Sequence, residues 1–284
     1  MILYQLSHIL KTFDHRRVLD IESLTIHEKG IYGVVGPNGA GKTTLLNILG
    51  FLDPPTSGNI RFRDKPVPFS STAMQRLRKS VVMVNQRPLL FSQSVTNNIL
   101  FGLKIRKIPA HARKRIVRAA LTRVGMLHLS DARAATLSGG ETQRIAIARA
   151  IALSPDVMLC DEPTANVDAE NQIVVIDLLK EINRTCHTTL IFTTHDRRTA
   201  AALTDTVFHM DGGKISHTPY ENLFFARLRR DDCTAVAIIR NTRGHDDLIV
   251  PITDRIVALM PSGDHCMVFF SGPSVVMSEA MPSL

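Results

Sequence analysis

The chain has 284 residues, a formal net charge of +8 and 44% hydrophobic residues, with no tryptophan. That length holds one large domain, or a domain with a small appendage, around a proper core. The charge suits an anionic partner (nucleotide, membrane surface or nucleic acid) without choosing among them.

Cys160, Cys186, Cys233 and Cys266 stand far apart with no CxxC pair, so neither a disulfide framework nor a zinc site is expected. They read as buried thiols of a reducing compartment. Met1-Ile2-Leu3-Tyr4-Gln5 has no basic and apolar leader pattern, so no signal peptide is expected. No apolar run approaches the ~18 residues that a membrane span needs. A soluble or peripheral protein follows as the expectation.

In chain order, Ile2-Leu3-Tyr4-Gln5-Leu6 and Val18-Leu19-Asp20-Ile21, continuing toward Ile26, read as strands, with Lys11 to Arg17 as the turn between them. Phe13 falls in that turn, where an aromatic either packs locally or stacks on a base. The apolar strand Ile31-Tyr32-Gly33-Val34-Val35 leads into Gly36-Pro37-Asn38-Gly39-Ala40-Gly41-Lys42-Thr43-Thr44. This stretch fits GxxxxGK[ST], and the helical run Thr43 to Leu49 follows it, which is the context that motif requires. Its glycines let the main chain wrap a phosphate, and the helix N-terminus adds an anion site. Lys42 is expected at the β- and γ-phosphates, and the Thr43 hydroxyl on magnesium. The alternative is a glycine-rich turn with no ligand.

Asp53 to Gly58 reads as a turn, Asn59 to Phe62 as a short strand, 73–80 as a helix and Val81 to Val84 as a buried strand ending at Asn85-Gln86. Residues 94–101 start a helix. The basic stretch 109–128 is helical, with Ile116, Ala120, Val124 and Leu127 on one face; it reads as a solvated surface, with a nucleic-acid or lipid surface as the alternative. Leu137-Ser138-Gly139-Gly140-Glu141-Thr142-Gln143-Arg144 opens a helix that runs from Ile145 to Leu153 and closes at Pro155.

Val157-Met158-Leu159-Cys160 is a strand ending in Asp161-Glu162-Pro163. A helix covers about 169–183, the strand Thr189 to Thr194 ends at His195, and a hairpin surrounds Gly212-Gly213. Apolar strands alternating with helices predict a mainly parallel α/β sheet, with the active residues at the strands' carboxyl ends. Past residue 222 short apolar runs, among them Ala235 to Ile239, Leu248 to Val250, Arg255 to Leu259 and Met267 to Phe270, predict a small β-rich module over 223–284 with a frayed end at 279–284.

Asp161 and Glu162 with Lys42 and Thr43 point to magnesium-assisted phosphoryl transfer. Asp161 is expected to hold the magnesium and Glu162 to polarise the attacking water as general base. Gln86 would join magnesium to that water, and His195 would bridge the γ-phosphate and Glu162. Ser138-Gly139-Gly140 is a second phosphate grip at a helix start. Two grips so far apart in one chain suggest a head-to-tail pair of chains with two ATP molecules between them.

The whole set resembles the nucleotide-binding subunits of ABC transporters. Residues 36–44 match the Walker A motif, Leu137 to Gln143 the LSGG signature, and Val157 to Glu162 Walker B with its catalytic glutamate. Gln86 looks like the Q-loop glutamine, His195 like the switch histidine, and Ala165-Asn166-Val167-Asp168 like the D-loop. The resemblance covers residues 1–222. It implies an α/β P-loop ATPase domain with an antiparallel β subdomain and a helical subdomain at about 86–153. It also implies a magnesium-dependent ATPase coupled to transport.

ATP would then meet Phe13, stacked on adenine, residues Gly36 to Thr44, and Ser138, Gly139, Gly140 and Glu141. Magnesium would meet Thr43, Gln86 and Asp161. Departures are Glu141 where glutamine is commoner, Asn166-Val167 in the D-loop and Cys160 in place of an aliphatic residue.

A single nucleotide-binding domain with no fused membrane domain implies transmembrane permease partners, docking near Gln86 to Ile105, and a peripheral place on the cytoplasmic face of the inner membrane. An extracytoplasmic substrate-binding protein is an indirect partner, and nucleic acid is not expected. Ile48 to Gly58, Leu159 to Ala165 and Ile191 to Arg197 look like the ATPase subunits of bacterial tungstate importers, so tungstate is the expected cargo and molybdate the next. The alternatives are a transporter subunit for another cargo, or a soluble ABC ATPase that remodels nucleic-acid complexes through the basic 104–123 stretch. The C-terminal module would pack, help dimerise or sense an oxyanion.

Overall fold

A computed structural model describes residues 1–216 except Asn166 and Asp205, with the side chains of Ser71 and Ser216 outside the description. Beyond them it describes the backbone of residues 223–231, 234–239, 248–251, 256–262 and 265–270. The chain divides into two compact units, Met1–His217 and Thr218–Leu284. The expected boundary at 222–223, the D-loop's Asn166, Cys233 and the frayed end at 279–284 involve residues outside that description.

The first unit opens with β1 (Ile2–Phe13) and β2 (Arg16–His27), an antiparallel pair. The strands are longer than the expected runs, and the turn contracts from Lys11–Arg17 to Asp14-His15. Both turn residues take positive φ, +43° and +66°. Such a two-residue turn matches the right-handed twist of its strands, so pairing continues to Phe13 and Arg16. Phe13 is therefore at a strand end rather than inside a loop.

β3 (Ile31–Val35) and α1 (Lys42–Leu49) flank the glycine-rich loop, and β4 (Ser57–Phe62) and β5 (Lys65–Pro66) complete a four-stranded sheet with β1 and β2. Next come α2 (Ser71–Leu77), β6 (Val81–Val84), α3 (Val95–Ile105), α4 (Ala110–Arg123) and α5 (Gly139–Ile151). β7 (Val157–Asp161), α6 (Ala169–Cys186), β8 (Thr189–Thr194), α7 (Arg197–Leu203), β9 (Val207–Asp211) and β10 (Lys214–Ser216) follow. The sequence reading contained no α7. It is a single short helix started by Asp196, whose carboxylate accepts from the Arg198 N–H at 2.9 Å.

The main sheet has the order β10-β9-β3-β8-β7-β6, parallel from β9 to β6, with β10 antiparallel on β9. Its strands β3, β6 and β7 are apolar on both faces, as a sheet covered on both sides requires. Val157 and Leu159 of β7 enter one core, with α1 and the antiparallel sheet. Met158 and Cys160 enter the other, with α3 to α6. α4 buries Val117, Ala120 and Leu121. The expected face is on the core: Ala120 and Val124 are buried and Ile116 and Leu127 pack half-buried against the same core, with Val117 and Leu121 widening the stripe and Leu127 lying past Gly125 (φ +70°) in a separate turn. Lys114, Arg115 and Arg118 face water, as a solvated helix face does.

In the second unit, β11 (Leu223–Asp231), β12 (Thr234–Ile239), β13 (Leu248–Pro251), β14 (Ile256–Ser262) and β15 (His265–Phe270) form one antiparallel sheet. Its order is β13-β12-β11-β15-β14. β11 was not among the expected strands, because its Arg227, Arg229 and Arg230 interrupt the apolar pattern.

Candidate nucleotide-binding and hydrolysis site

The loop after β3 holds its shape through positions that reject side chains. Gly39 and Gly41 take φ of +81° and +102°, in the region that favours glycine. A Cβ on Gly36 would sit 2.0 Å from the Met210 carbonyl oxygen. Gly41 caps α1, so the unpaired N–H groups of that helix's first turn open onto the loop. Lys42 is buried and folds back, its Nζ donating to the Gly36 and Pro37 carbonyls at 2.8 and 3.1 Å. Pro37, Asn38 and Gly39 form the exposed rim, with Ala40 buried beneath and Thr44 half-buried.

The neighbouring strands deliver the acids. β7 ends in Asp161, whose Oδ2 accepts from the Thr43 hydroxyl at 2.9 Å. Glu162 follows with φ +45°, a bend that a side chain rarely takes. That bend turns its carboxylate back over the loop. Oε1 lies 3.5 Å from Lys42 Nζ, and Oε2 lies 2.7 Å from Nδ1 of His195, which follows β8. Asp161 and Glu162 are buried, while His195 is open to water. The loop, Asp161, Glu162 and His195 thus converge at the carboxyl ends of β3, β7 and β8.

Gln86 follows β6 at the same edge but is exposed and makes no hydrogen bond among the described residues. Phe13 is 47% exposed, with Lys11 Nζ 4.7 Å from its ring centroid. A partly open ring of this kind retains surface for a stacking partner.

The signature turn is a separate place. Ser138 caps α5: its Oγ accepts from the Glu141 N–H at 3.3 Å, and Glu141 Oε2 accepts from the Ser138 N–H at 2.7 Å. This reciprocal pair gives Glu141 a structural reason to be there. Hydrogen bonds from the Ser138 backbone, then its side chain, hold the Glu141 carboxyl below its ordinary value of 4.5. Among the described residues no hydrogen bond or ion pair joins 138–141 to 36–44. The signature turn is thus not part of the glycine-rich loop's site.

Three partners escaped the sequence reading. Thr193, fully buried, donates to Asp161 Oδ1 at 2.6 Å and accepts from the Glu162 N–H at 3.0 Å. Asn171, held by Asp168 at 2.8 to 3.1 Å, packs on Gly140, where a Cβ would meet its Cγ at 2.9 Å. Lys11, buried within β1, pairs with Asp53 at 2.6 Å and donates to the Pro54 carbonyl at 2.7 Å. The one available signal was Thr193's place two residues before His195. Of the described thiols Cys160 is buried, but Cys186 is exposed, against expectation, because it ends α6 at the surface. Burial, then the charge of Asp161, pushes the Cys160 thiol up to about 12.

Residues 19–165 match the model of the ABC transporter family. The chain belongs to that family. As an ABC ATPase it binds and hydrolyses ATP and uses Mg²⁺. The donors at hand fit that ion: the Thr43 hydroxyl and Asp161 carboxylate are hard oxygen ligands, and Mg²⁺ takes few protein ligands beside substrate phosphates.

The chain is 35% identical over 209 residues to the tungstate uptake system ATP-binding protein TupC of Peptoclostridium acidaminophilum, covering 74% of this chain and 94% of that one. It is 38% identical over 199 residues to the methionine import ATP-binding protein MetN 1 of Bacillus thuringiensis subsp. konkukian, covering 69% of this chain and 59% of that relative's length. Among solved structures, the dimeric ATP-binding cassette MJ0796 bound to ADP and Pi matches with a TM-score of 0.69 at 26% identity, over 75% of this chain and 97% of that one.

Proposed function

We propose that this ABC ATPase powers an importer for an oxyanion, tungstate first and molybdate next. The observation that carries this reading is the match over 94% of the length of a tungstate uptake ATPase. The MetN relative, at similar identity, supports uptake as the direction.

In this reading two copies meet head to tail, each closing the other's site. Adenine stacks on the open face of Phe13. Residues Gly36 to Thr44 wrap the phosphates, which compete with the Gly36 and Pro37 carbonyls for Lys42. Thr43, Asp161 and Gln86 would hold the magnesium, which would neutralise phosphate charge when bound. Moving Lys42 onto the phosphates frees one oxygen of Glu162 to take a proton from the attacking water. His195 keeps the other oxygen and reaches the γ-phosphate from the exposed side. The N-terminus of α5, with Ser138, Gly139, Gly140 and Glu141, grips that phosphate from the second copy.

Permease subunits dock on the surface from Gln86 to Ile105. Leu89, Phe91, Phe101 and Ile105 are exposed there, and the rings of Phe91 and Phe101 lie 4.4 Å apart. Exposed apolar groups gathered like this favour a protein partner. Among the described residues no helix is long and apolar enough to cross a membrane. In this reading, which rests on the importer relatives, the ATPase sits peripherally on the cytoplasmic face, under permeases fed by an extracytoplasmic substrate-binding protein.

The test is cellular tungsten and molybdenum by mass spectrometry, with and without the gene, at trace supply of each oxyanion. Selective loss of tungsten supports the tungstate reading, and equal loss of both makes it a broader oxyanion importer. No change in either discards the cargo and leaves the ATPase untouched.

A further inference from the structure

Thr193 occupies an interior position of β8, between residues that fill the core. Ile191 and Phe192 precede it, and the side chain is fully buried. A hydroxyl there costs stability unless it is hydrogen-bonded, and an aliphatic residue of the same shape would avoid the problem. Its partners give the reason. Thr193 stands opposite Asp161 in the parallel register of β7 and β8. Its Oγ1 lies 2.6 Å from Asp161 Oδ1 and 3.0 Å from the Glu162 nitrogen.

The proton directions are fixed by chemistry. An N–H only donates and an ionised carboxylate only accepts, so the hydroxyl donates to Asp161 and accepts from Glu162. Both bonds together lock its rotation. They also divide the Asp161 carboxylate: Thr193 holds Oδ1, while Oδ2 faces the Thr43 hydroxyl at 2.9 Å. The oxygen on the loop side is therefore the one left to turn toward a metal or its water. The second bond acts on the main chain. Glu162 has φ +45°, a strained conformation for a residue with a side chain, which persists only when its surroundings enforce it. Thr193 supplies the acceptor that a buried N–H in that bend requires.

We propose that Thr193 is a positioning residue that presents the Asp161 carboxylate to magnesium and fixes the bend that aims Glu162. This rests on the reading of Asp161 as the metal-holding acid and Glu162 as the base. Thr193 acts through its two neighbours in one hydrogen-bonded unit. Partners that orient a metal-binding side chain in this way typically change metal affinity or activity by ~10–100-fold when removed.

The test uses the full chain with Thr193→Val, Thr193→Ser and Asp161→Asn. The primary readout is the Mg²⁺ concentration giving half of the ADP-induced rise in melting temperature, with Mn²⁺ binding by electron paramagnetic resonance as a second readout. ATPase rate is measured alongside. For Thr193→Val the half-saturating Mg²⁺ rises ~10–100-fold, the rate falls, and excess Mg²⁺ restores part of it. Thr193→Ser, which keeps the hydroxyl, recovers most of the loss.

A wild-type Mg²⁺ requirement in Thr193→Val overturns the proposal, as does a Thr193→Ser as impaired as the valine variant. If the valine variant does not fold, Thr193→Cys, similar in size with a weak donor, is measured in its place against the same expectations. Asp161→Asn separates the two levels. If it moves the Mg²⁺ requirement and Thr193→Val does not, the Thr193 role alone falls. If it too leaves the requirement unchanged, the reading of Asp161 falls with it.

Discussion

Nδ1 of His195 lies 2.7 Å from Oε2 of Glu162, across the ends of two parallel strands. The other oxygen of that carboxylate faces Lys42 Nζ at 3.5 Å. The acid is thus held between the lysine of the phosphate loop and a histidine exposed to the solvent side.

Glu162→Gln keeps the shape and removes the base. Turnover falls ~10²–10⁴-fold while MgATP still binds, and an ATP-bound dimer accumulates. Phosphate release and light scattering on a sizing column read the two effects. Near-normal hydrolysis reassigns the base.

Phe13→Ala removes the partly open ring at the end of β1. Stacking of a base on an aromatic is worth about 1–3 kcal/mol, so nucleotide affinity weakens by that amount while the fold persists. Titration with a fluorescent nucleotide measures it, and Phe13→Tyr retains the affinity. Unchanged affinity in the alanine variant returns Phe13 to local packing.

Gly140→Ala places a methyl 2.9 Å from Asn171 Cγ, and Asp168 restrains that side chain from moving away. Overpacking of this kind costs about 1–3 kcal/mol. The loss is smaller on an Asn171→Ala background, giving a coupling of about 0.5–3 kcal/mol by urea unfolding of the four proteins. Strict additivity removes the link between the signature turn and the start of α6.

The capping pair of Ser138 and Glu141 sets a pH dependence. Because the folded carboxyl titrates below its ordinary value of 4.5, its stabilising contribution is complete above that value. The contribution is lost as pH falls through the depressed folded value. Glu141→Gln keeps an acceptor oxygen that does not titrate. The melting-temperature difference, wild type minus variant, therefore shifts against the wild type as pH drops from 7 toward 3. A difference constant across that range refutes the assignment.

Much of this site is legible in the chain. The loop from Gly36 to Thr44, the strand end at Asp161-Glu162 and the histidine after Thr194 sit in short patterns whose chemistry is local. Strands β3 and β6 are continuous apolar runs, and both, like β8, fall within the expected limits. Other features are not local. Lys11 looks like a turn residue until Asp53 and the Pro54 carbonyl, far along the chain, give its ammonium partners inside β1. α7 has too few residues to show a period, and Asn171 has no motif of its own.

By itself the sequence determined that a phosphate-binding loop, two acids, a histidine and a signature turn occur in that order, and what each side chain can donate or accept. Tertiary structure alone decided which of them meet. Parallel pairing of β7 and β8 sets Asp161 opposite Thr193, and the bend at Glu162 turns one carboxylate toward both Lys42 and His195. The physical reason is register. Hydrogen-bonded strands align distant residues to within a few ångströms, whereas hydropathy within one segment carries no record of its neighbour. Among the described residues the same sheet leaves Ser138 with no hydrogen bond or ion pair to the loop, and the head-to-tail pairing proposed above answers that separation.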